Sequence, residues 1–74
     1  GRDVDSLLDR VARENSHADI NTEDGVKIDY ADSWVHLRKS NTEPIIRIYT
    51  EARSAEEAER LASQFTRQLE AAAR

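Results

Sequence analysis

The chain has 74 residues, with 15 acidic and 11 basic side chains and a net charge of −4; a domain near this size buries only roughly 60% of its unfolded surface. The acidic balance argues against a general nucleic-acid binder, which shows a basic face, the absence of cysteine excludes a disulfide framework and a thiolate metal site, and no apolar run approaches the ~20 residues of a membrane span. With 38% hydrophobic and 35% charged residues, this is a polar but foldable single domain, too small for most complete active sites and, with no secretory signal, expected in the cytoplasm.

In chain order, Asp3 can cap a first helix with its carboxylate. Val4, Leu7, Leu8 and Val11 follow at the spacing of one helical face, and Asn15 offers a left-handed stop, so the helix is expected over about 3–14. A short strand fits Ala18 to Thr22, and Glu23-Asp24-Gly25 reads as a turn. Val26, Ile28 and Tyr30 alternate with Lys27 and Asp29, the period of a half-buried strand. After the Ala31-Asp32-Ser33 turn, Trp34 to Arg38 forms the next strand, with Val35 and Leu37 on one face and Trp34, His36 and Arg38 on the other. Ile45 to Ala52 is the last strand, with Ile46, Ile48 and Thr50 opposed to Ile45, Arg47 and Tyr49. Ser54-Ala55-Glu56-Glu57 is a capping box that opens a helix over about 55–72, with a stripe of Ala58, Leu61, Ala62, Phe65 and Leu69. The expected fold is α+β, a small antiparallel sheet of three to four strands with both helices packed on one face.

Between the last two strands runs Arg38-Lys39-Ser40-Asn41-Thr42-Glu43-Pro44-Ile45-Ile46-Arg47. Two guanidiniums and an ammonium surround a short polar turn whose hydroxyls, amide and backbone N–H groups can all donate. Such a turn can form a concave anion site, and arginine supplies paired donors matched to phosphate oxygens. The same residues also suit a plain polar hairpin turn, because Ser, Asn and Thr bond their own backbone. Pairing Arg38 with Ile45 at the hairpin mouth puts Arg38 and Arg47 on the same open face; a one-residue slip would part them.

The run Arg38-Lys39-Ser40-Asn41-Thr42-Glu43-Pro44, with Arg47 and then Glu51-Ala52, resembles the C-terminal domain of the phosphohexomutases, which include phosphoglucomutase, phosphomannomutase and phosphoglucosamine mutase. The lead-in Asp24-Gly25-Val26-Lys27-Ile28, the Trp34-Val35 strand and the Ser54-Ala55-Glu56-Glu57-Ala58 helix start are similar too, so the likeness covers nearly all of the chain after Ser16. The resemblance implies that Arg38, Ser40, Asn41 and Thr42 contact the phosphate of a hexose phosphate substrate, with Arg47 as helper, while Glu43 and Pro44 shape the loop. Lys39 departs from the proline or small residue often found there, and Asn41 in place of glycine leans toward the phosphomannomutase/phosphoglucomutase branch. The implied parent reaction moves a phosphoryl group between C1 and C6 of a hexose through a bisphosphate. The family's phosphoserine, magnesium loop and sugar-selecting loop belong to earlier domains and have no counterpart in this chain. The chain is therefore expected to be the fourth domain of a larger isomerase, with no catalytic residue and no metal of its own, inactive alone, and partnered by the substrate and the enzyme's other domains rather than by nucleic acid or membrane.

Other candidates carry less. His17 and His36 are too few for a metal site. Asp19, Asn21 and Glu23 mimic the start of a calcium loop, but the glycine falls one place late and Tyr30 stands where a bidentate glutamate belongs. Trp34 and Tyr49 on an open face could stack nucleobases, though covering the sheet or meeting a neighbouring domain suits the acidic charge better. The rival to the mutase reading is a non-catalytic ferredoxin-like interaction or regulatory domain that binds a protein partner through Trp34, His36 and Tyr49.

Overall fold

The computed structural model describes residues 4–40, 42, 43 and 45–73. Asp3, Asn41 and Pro44, to which the sequence assigns a helix cap, a phosphate contact and a loop-shaping role, lie outside the described residues.

Helix α1 (Val4–Glu14) leads into a meander of four strands, β1 (Asp19–Asn21), β2 (Val26–Asp29), β3 (Trp34–Lys39) and β4 (Ile46–Glu51), and helix α2 (Ala55–Ala73) closes the chain. All neighbouring strands are antiparallel and lie in chain order, so every strand connection is a short hairpin. The α+β architecture is the expected one. Alternation puts Val26, Ile28, Val35 and Leu37 on one sheet face, where they join Leu8 and Val11 of α1 and Phe65 of α2 in a single buried core. Ile46, Ile48, Leu61 and Leu69 pack around its edge. The opposite face, carrying Lys27, Trp34, His36, Arg38, Arg47 and Tyr49, is open.

The α1 stop works differently from the left-handed cap expected at Asn15. Among the described residues only Gly25 has a positive φ. Asn15 instead ends the helix by being buried: its side-chain amide donates to the Val11 carbonyl and to Gln68 Oε1 of α2, both at 2.8 Å. One polar side chain thus terminates α1 and ties it to α2, and the tertiary bond makes the left-handed turn unnecessary. At α2 the Ser54 half of the capping box is formed, with the Glu57 N–H donating to Ser54 Oγ at 3.1 Å. Thr50 adds a second tie between sheet and helix by donating its hydroxyl to the Ala58 carbonyl at 3.0 Å.

Candidate functional site

Register decides what the β3–β4 hairpin presents. Arg38 pairs with Arg47 and Lys39 with Ile46, and the Ser40 N–H donates to the Ile45 carbonyl at 3.0 Å. The expected pairing of Arg38 with Ile45 is therefore wrong by two residues: Ser40, not Arg38, closes the hairpin. A two-residue shift preserves the face, because side chains alternate with a period of two. The conclusion drawn from the wrong partner still holds, and in a stronger form, since the two arginines are direct cross-strand neighbours on the open face.

Like charges set directly opposite on a sheet face are unfavourable. Arg38 is partly relieved by Asp24, whose Oδ2 lies 3.2 Å from Arg38 Nη2. Among the described residues Arg47 forms no ion pair. Lys39, one residue along, points to the other face. There its ammonium meets the Asp5 carboxylate of α1 at 3.1 Å. The third cation of the loop region is thus committed to holding the hairpin against α1.

Within the turn, the Thr42 N–H donates to Ser40 Oγ at 3.3 Å, and the two hydroxyl oxygens lie 3.3 Å apart. The Ile45 N–H donates to the Glu43 carbonyl at 2.8 Å. The Ser40 backbone amide is already used in closing the hairpin, so among the expected donors Ser40 offers its hydroxyl and not its N–H. Arg38, Lys39, Ser40, Thr42, Arg47 and Tyr49 line a cleft of about 280 Å³ at this end of the open face. A larger depression of about 450 Å³ lies between the helices and the start of β4. Its lining of Val4, Leu7, Ile45, Ile46, Leu69, Glu70 and Ala73 brings no cation, so it does not compete as an anion site.

The four described residues among the five expected to touch phosphate are therefore gathered at one cleft, and the fifth, Asn41, lies outside the described residues. Two further residues come with them. Tyr49, half exposed beside Arg47, follows from strand alternation and was legible as an open-face residue. Asp24 reaches Arg38 from the β1–β2 turn, and no local sequence signal marks that pairing. The remaining open-face groups pair with one another. Trp34 Nε1 donates to Glu51 Oε2 at 3.0 Å, and Lys27 Nζ sits 5.2 Å from the Trp34 ring centroid. The stacking platform considered for Trp34 is thus partly covered. His36 Nε2 lies 2.6 Å from the Asp24 carbonyl, a contact in which the ring nitrogen must donate. Among the described residues no three His, Asp or Glu side chains are grouped to hold a metal ion, and no helix is long and apolar enough to cross a membrane.

Residues 2–68 match the family model of the phosphoglucomutase/phosphomannomutase C-terminal domain. The chain is 44% identical over 63 residues to a probable phosphoglucosamine mutase of Methanopyrus kandleri, an overlap of 85% of this chain and 14% of that protein. It is 38% identical over 66 residues to the phosphomannomutase/phosphoglucomutase of Pseudomonas putida, covering 86% of this chain and 14% of the relative. A shorter stretch of 39 residues, 53% of this chain and 9% of the relative, is 59% identical to a phosphoglucomutase/phosphomannomutase of Thermococcus kodakarensis. The chain spans about one seventh of the length of the first two of these relatives.

Proposed function

The chain belongs to the phosphoglucomutase/phosphomannomutase family as its C-terminal domain, and from that we propose that its β3–β4 loop clamps the phosphate of a hexose phosphate. The observation that carries this reading is the direct pairing of Arg38 with Arg47 across the hairpin. Two guanidiniums on one face, beside the Ser40 and Thr42 hydroxyls, make a site that a phosphate dianion would neutralise. Each charge-assisted contact contributes about 1.5–3 kcal/mol at best. Solvent exposure and an association cost of ~4 kcal/mol or more remove most of that. The chain alone therefore binds with a dissociation constant of roughly millimolar order or weaker.

In this reading the domain positions and does not react. It holds the non-reacting phosphate, so that the reacting end of the sugar meets a nucleophile supplied elsewhere in the parent protein. Binding energy spent far from the reacting bond still serves catalysis. The parent would be an isomerase moving a phosphoryl group between C1 and C6, and its magnesium would be held by other domains. Among the described residues no three His, Asp or Glu side chains come together to hold such an ion.

The test is an NMR titration of the 74-residue chain with glucose 1-phosphate. The amides of residues 40–42 and the side-chain N–H groups of Arg38 and Arg47 are expected to move most. Shifts spread evenly over Trp34, His36 and Tyr49, with the loop unmoved, would refute the clamp.

A further inference from the structure

The Asp24–Gly25 turn is docked onto β3 in three ways. The Asp24 carboxylate meets the Arg38 guanidinium at 3.2 Å, and the Asp24 carbonyl meets His36 Nε2 at 2.6 Å. Gly25, at φ 72°, lies so close to β3 that a Cβ there would overlap the Leu37 carbonyl oxygen and crowd the Arg38 Cα. The turn is itself shaped by the Glu23 N–H, which donates to Asn21 Oδ1 at 2.9 Å. Backbone, carboxylate and missing side chain thus address three consecutive β3 residues, His36, Leu37 and Arg38, at the approach to the phosphate cleft.

We propose that Asp24, carried by this turn, is a positioning residue that holds the Arg38 guanidinium in place for phosphate. The proposal rests on the reading of the β3–β4 loop as a phosphate clamp. Arginine has five N–H donors, and a carboxylate at Nη2 leaves the others for a second anion. The pair is about half exposed on the Arg38 side and 70% exposed on the Asp24 side. A pair so exposed adds little to stability, so its effect falls on where Arg38 sits rather than on whether the chain folds. A free arginine gives up much rotamer freedom on gripping phosphate; one already fixed by Asp24 has given it up beforehand. Asp24 is also negative and lies within the Debye length of about 8 Å of a phosphate held on Arg38, so its repulsion opposes the preorganisation. Preorganisation is proposed as the larger of the two effects, and the phosphate affinity of Asp24→Asn gives the sign of the balance.

The experiment compares Asp24→Asn with the wild-type chain. Without ligand, ¹⁵N relaxation at Arg38 Nε should show a looser guanidinium in Asp24→Asn while the thermal midpoint stays within about 2 °C. In a titration with inorganic phosphate at physiological salt, read on the Ser40 and Thr42 amides, its dissociation constant should rise about three- to tenfold. In an Arg38→Lys background the same Asp24→Asn change should leave phosphate affinity within about 1.5-fold, because the lysine has no fork to orient. Equal or tighter phosphate binding by Asp24→Asn would make Asp24 a spectator or competitor and overturn the proposal while leaving the clamp intact. If phosphate leaves the wild-type loop amides unmoved, the clamp itself falls. Unchanged Arg38 relaxation in Asp24→Asn defeats the positioning role separately.

Discussion

Gly25 and Lys39 show how single positions set the site. Gly25 needs its residue type twice over, for a positive φ and for the close approach to the Leu37–Arg38 backbone. Gly25→Ala is therefore expected to destabilise the chain by about 2 kcal/mol or more, combining left-handed strain with the displacement of β3. Urea unfolding of the two proteins checks this, and a loss below about 0.5 kcal/mol would mean that the turn moves away from β3 at little cost. Arg38 and Lys39 are adjacent cations with opposite duties, because alternation sends one to the open face and the other to Asp5 on α1. Lys39 still lines the cleft, but its ammonium is committed to Asp5, so counting charges along the loop overstates the positive charge a ligand would meet there.

At the level of elements, the hairpin is only as well placed as the helix behind it. Strand β4 is half-buried through Ile46, Ile48 and Thr50, and it gains its cover from α2. The largest fully buried side chain, Phe65, lies at the middle of that helix. Phe65→Ala should cost about 3–5 kcal/mol, against a total of roughly 4–11 kcal/mol for a chain of this length. The thermal midpoint followed by circular dichroism should fall by roughly 15 °C or more. By contrast, the exposed Arg60–Glu56 pair on the same helix is a minor contributor. A Phe65→Ala midpoint within about 5 °C of wild type would show that α2 is held chiefly by its polar ties to Thr50 and Asn15.

As a whole molecule, the chain brings cations and hydroxyls to one end of an open sheet face, and among the described residues no histidine or carboxylate hydrogen-bonds the Ser40 or Thr42 hydroxyl. Ser40 and Thr42 share a hydrogen bond with each other, and the nearest histidine on the face, His36, is turned to the Asp24 carbonyl. Phosphoryl transfer also needs a metal to neutralise developing charge and a positioned acceptor oxygen. The 74-residue chain is therefore expected to show no conversion of glucose 1-phosphate to glucose 6-phosphate, with magnesium and catalytic glucose 1,6-bisphosphate present. Turnover that survives repurification and disappears in Ser40→Ala would make the loop an active site in its own right.

Periodicity by itself determined the two helices, the strands β2, β3 and β4 and the inner face of the sheet, because burial of alternate or every-third-and-fourth side chains is a local property of the chain. Strand β1, with Ile20 its one bulky apolar residue, carries no period of its own. The resemblance carried by the Arg38–Pro44 run likewise pointed to the family that the comparisons show, and four of the five residues it named, Arg38, Ser40, Thr42 and Arg47, line one cleft. Three things waited for the tertiary structure. The hairpin register did, since the choice between Arg38–Ile45 and Arg38–Arg47 depends on backbone bonds at the loop that alternation cannot distinguish. The end of α1 did, since Asn15 answers to Gln68, 53 residues away, rather than to its own backbone conformation. The partners of the cations did as well. Asp24 and Asp5 are remote from Arg38 and Lys39 in sequence, and only the stacking of β2 against β3 and of α1 beneath the sheet brings opposite charges within reach.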